Sequence, residues 1–112
     1  TLMKKYKLVV FSGPTSGKED EYNEWYQNTH LADVTSLNGI IKAQRFRHAA
    51  DLGGGTGHNY LAIYDIETDD LEGAMAGLGE SSDSGAMFIS DTLDLDNIIA
   101  TVFEEFGDPV GN

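Results

Sequence analysis

The chain has 112 residues, enough for one domain spanning 1–112 and for a core that hides about two-thirds of the unfolded surface. Seven Lys and Arg stand against nineteen Asp and Glu, and the resulting charge of −12 disfavours nucleic acid and anionic membrane as partners. Cysteine is absent, which rules out disulfides and thiolate metal sites and fits a reducing, cytoplasmic setting.

No apolar run approaches the roughly 20 residues that span a bilayer, and "TLMKKYKLVVFSG" meets charge and turn residues too early for a signal peptide. Residues 5–12, "KYKLVVFS", are β-branched and aromatic and stop at Gly13-Pro14, which predicts a strand. The turn that follows, "GPTSGKED", superficially resembles a phosphate loop. Its glycines enclose only three residues, however, and Glu19 stands where a magnesium-binding hydroxyl belongs. Glu19, Asp20 and Glu21 would also repel a phosphate from the first helical turn, so Ser16-x-x-Glu19 is read as a capping box.

A helix is predicted over 17–34, with Tyr22, Trp25, Tyr26, Thr29 and Asp33 on one face and Leu37 just beyond, ending at Asn38-Gly39. Residues 40–48 form a second strand, 49–57 a glycine-rich loop, and 58–66 the clearest strand of all. In "TDDLEGAMAGLGE" Asp69 is the expected cap of a second helix. Leu71, Ala74, Met75 and Leu78 should face inward, and Gly79 should end it. "AMFISDTLDLD" reads as irregular or extended. "NIIATVFEEF", 97–106, suits a helical stripe but is richer in β-branched residues, and is assigned as a strand.

The order strand, helix, strand, strand, helix, strand predicts an α+β, ferredoxin-like βαββαβ sandwich. The third strand carries Tyr60, Ala62, Tyr64 and Ile66 on one face and Leu61 and Ile63 on the other. Two helices cover only one face of the sheet. The other calls for a second copy, hence a homodimer packed sheet on sheet.

Metal-ligand spacing is absent among His30, His48 and His58, and no serine occupies a nucleophile elbow. No metal or organic cofactor is therefore expected. His30, near the end of the aromatic helix face with Tyr26 one turn earlier and Asp33 three residues later, is the candidate acid/base. The competing reading has it bonded to a carbonyl and merely finishing the helix. Tyr26 either orients a ligand or belongs to the core. Arg45 either holds a carboxylate or enolate oxygen or pairs with one of the many acids. Phe11, Tyr60 and Phe88 are candidates for an apolar ligand-binding wall, while His48 and His58 flank the glycine loop.

The run Trp25-Tyr26-x-x-x-His30-Leu31, then Leu37-x-Gly39, then Ala43-x-Arg45-Phe46-Arg47 resembles the dimeric α+β barrel superfamily, and most of all the ethyl tert-butyl ether degradation (EthD) type. "NYLAIYDIETDD" resembles the same group, and the likeness covers about residues 5–75 well. It implies a ferredoxin-like protomer that dimerises through its sheets, with a pocket between each sheet and its own helices. Relatives include polyketide cyclases, cofactor-free monooxygenases, a lactone isomerase and haem enzymes, as well as members of no known activity. The matching histidine faces the pocket in several, a role carried here onto His30. The Asn-Trp-His set of haem-degrading members has no counterpart, because Trp25 is the only tryptophan and lies on the first helix. Two functions result: a small cofactor-independent isomerase, cyclase or oxygenase acting on an aromatic or polyketide-like carbonyl compound, or a non-catalytic module that binds a hydrophobic metabolite or assists a catabolic enzyme.

Overall fold

The structure, a computed structural model, describes residues 2–112. Four strands, β1 (Lys4–Ser12), β2 (Ile40–Arg47), β3 (Tyr60–Thr68) and β4 (Ile99–Glu104), form one antiparallel sheet in the order β2-β3-β1-β4. This is the ferredoxin-like order, and the ambiguous last segment is a strand as its β-branched content suggested. The strands sit within two residues of their predicted limits. β3 is displaced towards Thr68, because the chain before Tyr60 is still leaving the glycine loop.

Register divides the side chains of the sheet. The pairs Tyr6–Ile66, Leu8–Tyr64 and Val10–Ala62 lie on one face, and Lys7–Asp65, Val9–Ile63 and Phe11–Leu61 on the other. The core forms on the first face alone, where Tyr6, Leu8, Ala62, Tyr64 and Ile66 meet Tyr22, Trp25, Tyr26, Leu31 and Val34 of the first helix. The opposite face keeps Phe46, Ile99 and Phe103 exposed, with Val9, Phe11, Leu61 and Ile63 only half-buried.

The first helix departs from expectation at both ends and in the middle. It starts as α1 (Glu19–Trp25), widens into a π-helical segment (Tyr26–His30) and returns as α2 (Leu31–Thr35). The Ser16–Glu19 capping box does not form. Gly17 takes φ +79 in a turn closed by Lys18 N–H donating to the Thr15 carbonyl, so Lys18 becomes the N-cap and has no side-chain cap bond. The π-segment inserts one residue into the helical phase. Past Tyr26 the inward stripe therefore moves from Thr29 and Asp33, the predicted positions, to His30, Leu31 and Val34. The driving force is burial: an uninterrupted α-helix would turn a threonine and an aspartate to the core and a leucine and a valine away from it. Gly39, at φ +90, then reverses the chain so that its carbonyl accepts from Glu67 N–H and β2 can pair with β3.

The second long helix, α3 (Leu71–Asp83), is capped by Asp70, whose Oδ1 accepts from Gly73 N–H at 2.9 Å; Asp69 is not the cap. Nor does Gly79 end it. The helix continues through Glu80–Asp83, and Gly85, at φ +81, supplies the left-handed residue beyond its end. Leu71, Ala74, Met75 and Leu78 do face inward, yet none is fully buried, so α3 stands slightly off the sheet.

Candidate functional site

The gap under α3 is a cleft of about 290 Å³. Val10 and Ser12 of β1 form its floor, Tyr26 and His30 one wall, and Leu78, Gly79 and Ser82 of α3 another. Met87, Ile89, Leu93 and Ile98 close the remaining side. That last wall is irregular chain held by backbone bonds to the β1–α1 turn: Thr15 N–H to the Thr92 carbonyl at 2.7 Å and Asp94 N–H to the Gly13 carbonyl at 3.0 Å. The surroundings are mostly apolar, with Ser12, Tyr26 and His30 gathered on the floor and one wall and Ser82 on the α3 wall.

His30 owes its position to the π-segment. Its ring stacks on Trp25 with centroids 4.5 Å apart and meets the edge of Tyr26 at 4.9 Å. Its Nδ1 is buried and has no hydrogen-bond partner, so the carbonyl-bonded alternative is not supported. Burial lowers its pKa from 6.5 to about 4, against a smaller upward pull from Asp33. The imidazole is therefore neutral at neutral pH.

Below it runs a set of buried hydroxyls. Tyr64 donates to the Tyr26 hydroxyl at 3.0 Å, and Ser12 Oγ pairs with the Tyr22 hydroxyl at 2.6 Å. Because Tyr26 accepts from Tyr64, its own proton is free to be donated. Burial pushes the Tyr26 pKa up to about 12 and raises those of Tyr64 and Tyr22 as well, so all three are neutral donors at physiological pH.

The residues expected at the site are split between four places. Tyr26 and His30 stand together on the cleft. Arg45 and Tyr60 share the helix-covered face of the sheet but line a separate, shallower cleft of about 260 Å³ with Asn23, Phe46 and Arg47. Arg45 does not pair with an acid. One guanidinium nitrogen donates to Asn23 Oδ1 at 2.8 Å, and the group lies 4.8–5.5 Å from the ring centres of Tyr22, Tyr26 and Tyr60. Phe11 is on the opposite face, 5.7 Å from the His58 ring, so His58 is partly covered while His48 is exposed and bonded to Asp51. Phe88 is 63 % exposed and lines neither cleft.

Ser12, Met87, Ile89 and Leu93 were not anticipated. Ser12 shares parity with Tyr6, Leu8 and Val10 on β1, which places it on the cleft floor. Met87 and Ile89 alternate with Phe88, and once the segment is extended an inward Met87 turns Phe88 out. Among the described residues no group of three His, Asp or Glu side chains is placed to hold a metal ion. No helix among the described residues is long and apolar enough to cross a membrane.

No family model and no curated protein matches the chain. Solved structures do. An EthD family protein of Bacillus halodurans superimposes with a TM-score of 0.61 at 19 % identity, covering 91 % of this chain and 99 % of its own. A candidate monooxygenase of Shewanella loihica and a protein of Arabidopsis thaliana give the same TM-score at 10 % and 12 % identity, each covering 96 % of this chain and 100 % and 99 % of their own. The fold is that of the EthD-like dimeric α+β barrel proteins. These likenesses, all below a fifth in identity, establish the EthD-like architecture and not a chemistry. The cleft is described by this chain's own residues.

Proposed function

We propose that the cleft is the active site of a small enzyme that needs no metal or organic cofactor and transfers a proton on an aromatic or polyketide-like carbonyl compound. The observation that carries this reading is the imidazole of His30 on the wall of an apolar cleft, stacked on Trp25 and edge-on to Tyr26, with no protein group bonded to its Nδ1. Because Nδ1 is buried, a ligand in the cleft would meet the ring through Nε2. A volume near 290 Å³ is at the small end of the roughly 300–1,000 Å³ range of ligand sites, which suits a compound of one or two rings.

The chemistry divides between two side chains. Neutral His30 has a lone pair for the proton adjacent to the carbonyl. Tyr26, supplied with a hydrogen bond by Tyr64, points its own proton at the carbonyl oxygen, where negative charge gathers as the C–H bond breaks. The electron pair moves into the enolate, and His30 returns the proton at the same or a different carbon, so isomerisation or cyclisation needs no further reagent. The low pKa of His30 is a property of the empty cleft. An enolate beside the ring favours its charged form and raises its basicity as the reaction advances. The outer sheet face supports a homodimer as the working form, and the candidate monooxygenase among the fold neighbours supports catalysis over mere carriage.

One observation favours the second reading, a non-catalytic module for a hydrophobic metabolite: an imidazole with a pKa of about 4 is a better hydrogen-bond partner than proton acceptor. Exchange of the acidic C–H of β-diketones and hydroxyaryl ketones for deuterium, followed by proton NMR, separates the two. Catalysis predicts exchange above the buffer rate in the wild type and none in His30→Ala with the fold intact. Equal exchange in both proteins removes His30 from the chemistry.

A further inference from the structure

We propose that the second cleft, between the start of α1 and the end of β2, is a binding site for a planar aromatic monocarboxylate, separate from the His30 cleft. The motive is a misallocation of charge. Acids outnumber bases nineteen to seven, and Lys4, Lys5, Lys7 and Lys18 each lie within ion-pair distance of a carboxylate. Among the described residues Lys42, Arg45 and Arg47 have no such partner; of these, the two arginines lie on the same side of β2, two residues apart, and Lys42 on the other. In so acidic a chain, leaving two guanidinium groups unpaired side by side is what a site for an external anion requires.

Arg45 is also held in place. The π-faces of Tyr22, Tyr26 and Tyr60 surround it, and the single bond to Asn23 Oδ1 uses one of its five N–H donors. Asn23 in turn donates to the Tyr60 hydroxyl at 3.1 Å. A guanidinium fixed in this way offers its remaining donors in a planar fork that matches a carboxylate, and Arg47 adds a second charge at the rim.

The remaining lining selects within the anions. The Tyr60 ring offers flat apolar surface to an aromatic body, while Phe46, paired with Leu61, borders the cleft with its side chain on the other face of the sheet. Glu19 accepts from the Tyr60 hydroxyl at 2.6 Å, which places a carboxylate near the rim. That negative charge, on a chain already at −12, penalises a doubly charged phosphate more than a singly charged carboxylate.

The test is an NMR titration of the intact protein with benzoate, acetate and inorganic phosphate, following the Arg45 and Arg47 Nε–H and Asn23 side-chain amide signals. Benzoate should shift all three saturably, more tightly than acetate and much more tightly than phosphate. Arg45→Gln and, independently, the more exposed Arg47→Gln should each weaken benzoate about tenfold, the loss of one charge-assisted hydrogen bond. His30→Ala should leave the titration unchanged, which keeps this site distinct from the proposed catalytic one. Phosphate binding as tightly as benzoate overturns the ligand class. Shifts that do not saturate, or a benzoate affinity unchanged in Arg47→Gln while that variant is folded, overturn the site.

Discussion

The imidazole of His30 lies nearly flat on the indole of Trp25, 4.5 Å between ring centres and 27° between planes, and neither Nδ1 of the one nor Nε1 of the other has a hydrogen-bond partner. Trp25 is the only tryptophan in the chain, so its emission reports on this ring alone. A stacked imidazolium quenches indole more strongly than neutral imidazole does. Acidification should therefore dim the fluorescence with a midpoint near pH 4, where burial has moved His30, and His30→Gln should abolish the step. A midpoint near the ordinary 6.5 would mean that the ring is solvated and the cleft wall is not as described.

The same shift has a thermodynamic consequence. The folded pKa of His30 is depressed, so below pH 6.5 the unfolded chain takes up a proton that the folded chain refuses until about pH 4. The contribution of His30 is thus fully present above pH 6.5 and is lost progressively as pH falls towards 4. Urea denaturation midpoints of wild type and His30→Gln should differ by a constant amount above pH 7 and change relative to each other, at the wild type's expense, between 6.5 and about 4. Comparing the two proteins cancels the many carboxylates, which titrate in both. A difference independent of pH across that interval would show that burial does not act on this ring.

Much of this was readable from the sequence, and the failures have a common origin. Alternation along β3 identified the two faces of the sheet, because a strand's period of two has no slack. Helical phase proved less secure. The spacing from Trp25 and Tyr26 to Leu31 and Val34 is too long by one residue for an unbroken α-helix, and only a π-turn lets both groups face the core. That mismatch was present in the sequence, but Thr29 and Asp33 fitted the regular period and concealed it. His30 was picked out by its resemblance to the EthD type and its aromatic neighbours, whereas the tyrosine hydroxyls beneath it needed the register of β3 against α1. Arg45 was read either as holding a ligand oxygen in the pocket or as pairing with an acid. Strand position alone cannot tell that the Tyr22 and Tyr26 rings stand between it and the cleft.

The uncovered sheet face leads to a prediction about assembly. Val9, Phe11, Phe46, Leu61, Ile63, Ile99 and Phe103 share that face, and no helix of the chain reaches it. Apolar area on this scale marks a contact surface, and the expected occupant is a second copy, which offers the same surface related by a two-fold axis. Sedimentation should give a dimer for the wild type and a monomer with an unaltered circular dichroism spectrum for Ile63→Glu, which sets a charge at the centre of the seam. A wild type that sediments as a monomer, or an Ile63→Glu variant that remains dimeric, excludes this face as the contact.

α3 is the least secure wall of the cleft, and its glycines say why. None of its residues is fully buried, and Gly73, Gly77 and Gly79 each lower helix propensity by about 1 kcal/mol relative to alanine. A Cβ added at Gly77 or Gly79 meets nothing within 4 Å, so alanine at either position should stabilise the protein by about 0.5–1 kcal/mol, measured by urea denaturation. Gly73 behaves oppositely. Its Cβ would collide with the Asp70 carboxylate that caps the helix, and Gly73→Ala should cost about 0.5–2 kcal/mol through the lost cap. Because α3 forms one wall of the cleft and its stability governs local opening there, the paired variant Gly77→Ala/Gly79→Ala should also slow amide exchange at Leu78 and Ser82, which line the cleft. Stabilisation without slower exchange there would mean that local unfolding of α3 does not govern opening at this wall.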